Sequence, residues 1–369
     1  MKSKLKIAIL GTKGVPNNYG GFEQFAEFFS KYLYSKSYDV TVYNPSYHPY
    51  NEKVFDGVKI RKVFCPEKYL GGFAHIIYDF LCLKDALSKK YDIILELGYQ
   101  SVAPSYLLLP FQSSVVITNM DGLEWKRSKW NFFAKKYIKF AEKVALMKSN
   151  EIISDNDGIA KYFTDNYGIN SKMIPYGADI FLNPEKSILN HYNLKKDDYC
   201  LAISRIEPEN NLQIIIEGFI NSKSKLNLII IGDFNNKYGK FLINKYNYDQ
   251  RIKFLGSVYN LNILNNLRFF SKVYFHGHSV GGTNPSLLEA MAANAFVCAH
   301  DNIFNRNVLN DNAEFFSNSK DISFLLDNID NYNLSSEKYR KSNIERIKNN
   351  YNWEIINESY LNFILKVIN

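Results

Sequence analysis

Residues 5–33 read LKIAILGTKGVPNNYGGFEQFAEFFSKYL. The apolar run Leu5–Leu10 predicts a short buried strand, and Gly11 ends it. A polar loop follows from Gly11 to Gly21. Phe22, Phe25, Ala26, Phe29 and Leu33 then recur at helical spacing. Strand, loop and helix return through the first half of the chain, with strands expected at Asp39–Tyr43, Val58–Val63, Asp92–Leu97 and Val115–Asn119. Short apolar strands separated by helices imply a parallel sheet covered on both faces, an α/β fold.

The pattern restarts after about residue 180. Tyr199–Ser204, Leu226–Ile231, Ile252–Leu255, Val273–Phe275 and Ala295–Cys298 read as strands. Helices are expected around Leu212–Phe219, from about Ser286 to Ala293, and in the amphipathic tail Trp353–Ile368. Pro175, Gly177 and Pro184 cluster between the two series, so the boundary falls near Ile174–Asn193. The expected division is a first domain over 1–180, a second over 181–350 and a terminal helix over 351–369. A chain of 369 residues, 46% hydrophobic and 22% charged, is long and apolar enough to bury two cores. Its 27 Tyr and 27 Phe follow a Lys/Asn/Tyr/Phe-rich bias rather than a functional pattern.

Cys65, Cys82, Cys200 and Cys298 are scattered and form no paired motif. Cys200 and Cys298 lie in apolar runs and read as small core residues, which fits a reducing compartment. Lys6 and Gly11 interrupt the first apolar run, too early for an export signal. No window approaches the ~18 apolar residues of a membrane span. The expected location is therefore the cytoplasm. A net charge of +8 admits an anionic partner such as a phosphorylated substrate or an acidic lipid. No nucleic-acid module is recognisable.

In parallel sheets ligands bind beyond the carboxyl ends of the strands, and the distinctive residues fall in those loops. Gly20-Gly21 opens a helix whose N–H groups can face an anion. The loop lacks the GxGxxG spacing of a dinucleotide site. His276-Gly277-His278-Ser279-Val280-Gly281-Gly282-Thr283-Asn284 leads from a strand into a helix with Glu289 in its expected first turn. The Thr283 and Asn284 amides suit a phosphate, and Glu289 suits sugar hydroxyls or, more simply, the helix dipole. His276-x-His278 has no third ligand at zinc spacing, so neither a metal nor another cofactor is expected. Arg205, just after a strand, suits a diphosphate held by two parallel hydrogen bonds; a salt bridge to Glu207 or Glu209 is the simpler alternative.

Gly20-Gly21, Ile174-Pro175-Tyr176-Gly177-Ala178-Asp179, Arg205 in its Glu-Pro-Glu loop and the segment ending at Glu289 together resemble the retaining GT-B glycosyltransferases of family 4. The likeness runs in order along nearly the whole chain. Gly14-Val15-Pro16 to Phe22-Glu23, Asp121-Gly122-Leu123-Glu124-Trp125 and His276 to Met291 resemble more narrowly a bacterial rhamnosyltransferase-like branch. This resemblance implies two Rossmann-like domains with an interdomain cleft, the first binding acceptor and the second nucleotide-sugar. It also implies that the tail helix crosses back to the first domain. Arg205 would neutralise the donor diphosphate, Glu289 would bind ribose, and Gly20, Gly21, Asn210, His278, Gly282, Thr283 and Asn284 would complete the donor contacts. The chain departs from the family at three positions. Gly281 replaces a first Glu, Asn210 or Asn211 replaces a Lys, and Asp121 replaces a His as the residue positioning sugar or acceptor.

Lys126–Lys148 reads as one long helix with eight basic residues against a single acid, Glu142. Trp130, Phe133, Tyr137 and Phe140 recur among the lysines. Basic side chains beside aromatic ones suit an anionic membrane surface, and Lys126, Arg127, Trp130, Lys135 and Lys136 are the expected membrane or acceptor contacts. With the resemblance, the expected activity is transfer of L-rhamnose from dTDP-L-rhamnose to a lipid-linked saccharide at the inner membrane face. The same fold with a UDP- or GDP-sugar is the nearest alternative. A non-transferring protein, epimerase or scaffold, is the other; an epimerase calls for more acid–base residues than Asp121 and His278.

Overall fold

The computed structural model describes residues 5–111, 114–127 and 129–368. By internal contacts the chain forms two units. The first comprises Met1–Trp125, Trp130–Pro175 and Trp353–Asn369, and the second Lys126–Lys129 and Tyr176–Asn352.

In the first unit the apolar runs become strands β1 (Lys6–Leu10), β2 (Asp39–Pro45), β3 (Val54–Phe55), β4 (Val58–Val63), β5 (Ile93–Leu97), β6 (Val115–Asn119), β7 (Glu151–Ser154) and β8 (Lys172–Met173). They form one sheet in the order β3-β4-β2-β1-β5-β6-β7-β8. Among the described residues only the β3–β4 hairpin is antiparallel. Ile7 of β1 lies opposite Val40 of β2 and Ile93 of β5, and all three are buried. Continuous apolar runs are what a central strand covered on both faces requires.

The tail helix Trp353–Ile368 packs on this unit through aromatic side chains. Trp353 stacks on Phe28 with ring centroids 4.5 Å apart, and Tyr360 lies against Phe25 and Phe29. The Tyr360 hydroxyl accepts a 2.7 Å hydrogen bond from Asn119 Nδ2 at the end of β6.

The second unit holds β9 (Tyr199–Ile203), β10 (Asn227–Ile231), β11 (Ile252–Phe254), β12 (Val273–His276), β13 (Val297–His300) and β14 (Glu314–Phe316). Their order, β11-β10-β9-β12-β13-β14, with every pair parallel, is the 3-2-1-4-5-6 arrangement of a doubly wound nucleotide-binding sheet. Cys200 and Cys298 sit in its core, and all four cysteines are buried and free.

Two expectations change. The run Ala295–Cys298 predicts a strand two residues early. Asn294 instead adopts a left-handed φ of 57°, and the Asn294 and Ala295 amides close the preceding helix onto Met291 and Ala290. The strand then starts at Val297. The long basic helix is also shorter than expected. Glu124–Lys126 forms a separate single turn, and the helix proper runs from Phe132 to Lys148. Asn131 begins it because its side-chain oxygen accepts the Ala134 N–H at 2.9 Å, which caps the helix at that residue. Among the described residues no helix is long and apolar enough to cross a membrane.

Two buried acids stand behind the first sheet. Neither Glu96 carboxylate oxygen, at the carboxyl end of β5, has a hydrogen-bond partner. Burial, reinforced by Asp79, pushes its carboxyl well above the usual range. Burial likewise raises Asp79 to about 7 against an opposing hydrogen bond from Ser101. A raised folded-state pKa means the unfolded chain releases these protons first. Asp79 therefore leaves stability intact below its ordinary value of 3.8 and erodes it as pH climbs to about 7. The slope contributed by one such group is at most about 1.4 kcal/mol per pH unit. Asp79→Asn should flatten the fall in Tm between pH 5 and 7 by several degrees, read by thermal unfolding across that range. Parallel melting curves for the two proteins would show that Asp79 ionises without penalty.

Candidate active site

In the second unit β9 and β12 are neighbours at the centre of the sheet, and the chain winds away from them in opposite directions. The point where strand order reverses is where this architecture binds ligands. Arg205 follows β9 and is exposed. Asn210 is buried, and its side-chain amide donates to the Arg205 carbonyl at 2.7 Å, so it shapes the Arg205 loop. Asn211, with a left-handed φ of 51°, donates through Nδ2 to the Gly277 carbonyl at 2.8 Å. In return Ser279 donates its amide and hydroxyl to the Glu209 carbonyl at 3.0 and 2.8 Å. A Cβ on Gly277 would collide with the Asn210 carbonyl oxygen. The loops after β9 and β12 are thus stitched into one surface, with Gly277 at the seam.

The His276 and His278 rings stack with centroids 4.4 Å apart. Burial, with Arg268 and His300 nearby, pushes His276 down to about 3. Burial, His276 and Arg205 hold His278 well below its usual value. Both imidazoles are therefore neutral near pH 7. Gly281 has a φ of +134°, a conformation that the Glu expected there by resemblance would adopt only under strain. Gly282 and Asn284 are half-buried and Thr283 is buried. Asn284 precedes the helix Pro285–Ala292, and its side chain makes no bond to the helix end.

Glu289 lies in the second turn of that helix, not the first, because the helix begins at Pro285. The helix dipole therefore does not account for it. Its Oε2 instead accepts a 2.6 Å charge-assisted bond from Arg268 Nη2. Arg268, only 1% exposed, also donates to Asn265 Oδ1 at 2.9 Å. Tyr274 OH and Ser286 Oγ are 2.7 Å apart beside the pair. Sequence reading missed Arg268. Its one visible signal was an arginine set between Leu267 and Phe269-Phe270.

In the first unit Gly20 is the extended residue before the helix Gly21–Ser35. The anion at this helix start is internal. Buried Glu23 accepts the Lys13 N–H at 2.7 Å, and Glu27 accepts that of Asn17 at 2.7 Å. Burial raises the Glu23 carboxyl, opposed by backbone N–H groups of Lys13 and Gly20 among others. Asn44, buried at the end of β2, holds the loop by donating to the Val15 carbonyl and accepting its N–H. Asp121 follows β6 and is half-buried, and Asp155, buried just past β7, was also missed. Burial together with these two acids keeps the Tyr360 hydroxyl protonated. Of the expected membrane contacts, Lys135 and Lys136 lie on the helix Phe132–Lys148. Lys126, Arg127 and Trp130 precede it, and the Trp130 indole donates to Glu124 at 3.3 Å. Among the described residues no cluster of three or more His, Cys, Asp or Glu side chains is arranged to hold a metal.

Removing one partner of a buried ion pair strands the other charge. Arg268→Ala should cost about 3–5 kcal/mol in urea unfolding. An unchanged midpoint would show that Glu289 does not depend on Arg268.

Residues 4–179 match the family model of a domain of unknown function, DUF1972, and residues 185–350 match that of glycosyl transferases group 1. Among curated proteins none matches the chain by sequence. Solved structures share the fold at low identity. Sucrose-phosphate synthase from Thermosynechococcus elongatus is 15% identical, with 99% of each chain covered and a TM-score of 0.82. The Anabaena protein Alr3699/HepE in complex with UDP-glucose is 14% identical over 98% of this chain and 100% of that one, with a TM-score of 0.77. A glycosyltransferase from Rickettsia africae is 14% identical over 99% of each, with a TM-score of 0.73. Residues 185–350 are thus similar to glycosyl transferases group 1, and the chain has the two Rossmann-like sheets of the GT-B fold.

Proposed function

We propose that the protein is a retaining rhamnosyltransferase that moves L-rhamnose from dTDP-L-rhamnose to a lipid-linked saccharide at the inner face of the cell membrane. The observation that carries the glycosyl-transfer reading is Arg205 and the 276–289 segment side by side beyond two adjacent central strands. That is an anion-binding and hydroxyl-binding pair at the switch point of a nucleotide-binding sheet. The UDP-glucose held by the similar Anabaena protein supports a nucleotide-sugar donor. The donor sugar itself rests on the sequence resemblance.

In this reading residues 181–350 bind donor and residues 1–180 bind acceptor. Arg205 neutralises the diphosphate, Glu289 accepts from a sugar hydroxyl of the nucleoside, and Gly282, Thr283 and Asn284 approach the phosphates and sugar through their backbone. Neutral His278 serves as a hydrogen-bonding wall rather than a cation, and Asn210 acts by holding the Arg205 loop. On the first unit, Gly20-Gly21, lacking side chains, lets a substrate approach the backbone, and Asp121 positions acceptor or sugar. Lys126, Arg127, Trp130, Lys135 and Lys136 face the anionic membrane.

The bond from the anomeric carbon to the diphosphate oxygen breaks as the acceptor hydroxyl attacks from the same face. The departing phosphate oxygen takes the hydroxyl proton. Such a step needs charge stabilisation on the leaving group more than a strong protein base.

Calorimetric titration with dTDP-rhamnose, UDP-glucose, UDP-galactose, GDP-mannose and NAD tests the donor, with selective binding of dTDP-rhamnose expected. Preference for another sugar nucleotide would discard rhamnose and keep transfer. Arg205→Ala should lower turnover at least a hundredfold while leaving the melting temperature unchanged, and turnover equal to the parent would sink the diphosphate role.

A further inference from the structure

The helix Phe132–Lys148 carries a feature that the donor chemistry does not use. Phe132, Lys135, Lys136, Lys139, Phe140 and Lys143 fall on one arc of it. Trp125 and Tyr167 rise at either side, and together they enclose an open cavity of about 450 Å³. Among the described residues, none of the four lysines has an acidic partner within 4 Å. The one acid on the helix, Glu142, is fully buried, and its carboxylate is engaged by the neutral donors of Trp125, Tyr162 and Tyr167.

Glu142 is nonetheless what builds the walls. It accepts hydrogen bonds from the Trp125 indole at 3.1 Å, the Tyr162 hydroxyl at 2.9 Å and the Tyr167 hydroxyl at 2.6 Å. Both flanking rings are therefore locked by one carboxylate. The lysines are held as well. Lys139 Nζ lies 4.1 Å from the centre of the Trp125 ring, and Lys136 Nζ lies 4.5 Å from that of Phe132. A preorganised aromatic trough floored by four ammonium groups fits an anionic phosphate ester.

The rim decides the source of that phosphate. Phe132, Phe133 and Phe140 are 64, 79 and 53% exposed. Leu107 and Leu108 are exposed on the adjoining helix Ala103–Leu108, which packs against this one. A soluble phosphate would leave these side chains in water, whereas a lipid surface covers them. We infer that this trough is a headgroup site, holding the phosphate of an anionic lipid between the lysines while the rim aromatics enter the acyl boundary. The inference rests on the proposal that the protein works at a membrane, and adds a specific, built pocket to it.

The test is flotation of the full-length protein with vesicles of phosphatidylcholine, alone or mixed with phosphatidylglycerol. Binding is expected only to the mixed vesicles. Lys139→Ala with Lys143→Ala should weaken it roughly thirtyfold, at about 1 kcal/mol per basic side chain. The charge-matched Lys240→Ala with Lys320→Ala, on exposed lysines of the second unit, should change it less than threefold. Equal losses for the two pairs would mean diffuse net charge and overturn the pocket. Inorganic pyrophosphate binding the parent in calorimetry and displacing it from vesicles would assign the trough to soluble phosphates, overturning the lipid source. Donor calorimetry on the same proteins separates the two readings. A parent that binds sugar nucleotide but no vesicle removes the headgroup site alone. One that binds anionic vesicles but no sugar nucleotide leaves the site standing and removes the transferase reading.

Discussion

The second unit depends on how closely two loops approach. Gly277 has no Cβ, and the Asn210 carbonyl occupies the space one would fill. That approach brings Asn211 to the Gly277 carbonyl and Ser279 to the Glu209 carbonyl. In a doubly wound sheet the strands at the switch point send their chains to opposite faces. The loops beyond them would otherwise diverge. Joining them gives Arg205 and the Gly281–Asn284 turn a common floor, and the arrangement of polar groups there is preset before any ligand arrives.

Buried charge is handled differently in each unit. In the second, Glu289 is held by Arg268 at 2.6 Å, so its carboxylate is kept at a fixed place in the helix. In the first, Glu142 is satisfied by three neutral donors from two tyrosines and a tryptophan, and it orients their rings. Glu96 has neither arrangement, and burial keeps its proton on, while Asp79, with a single hydrogen bond from Ser101, is raised to about 7. One chemical group thus serves as an anchor, as an organiser of aromatic walls and as a neutral filler. Its neighbours make the difference.

The strands were readable because buried parallel strands need continuous apolar runs. Val58–Val63, Val115–Asn119 and the tail helix Trp353–Ile368 occur at the predicted residues. The errors lie where a local hydrogen bond beats periodicity. Asn131 capping its helix removed six residues from a predicted helix, and left-handed Asn294 delayed β13. The loop residues Arg205, His278 and Glu289 could be picked out because their residue types are unusual beyond a strand. Arg268 could not, since its buried ion pair joins positions 21 residues apart and no local spacing names Glu289 as its partner.

By itself the sequence determined the α/β class, the two successive sheets and the loops that carry polar chemistry. These follow from periodicity and from where glycine, proline and asparagine interrupt it. Only the tertiary structure decided which polar groups meet. It turned the Asn210 amide towards its own loop, gave Glu289 to Arg268 rather than to the helix dipole, and buried Glu142 beneath Trp125 and Tyr167. Hydrogen bonds and ion pairs between distant segments depend on distances of a few ångströms, and those exist only once the sheets have packed.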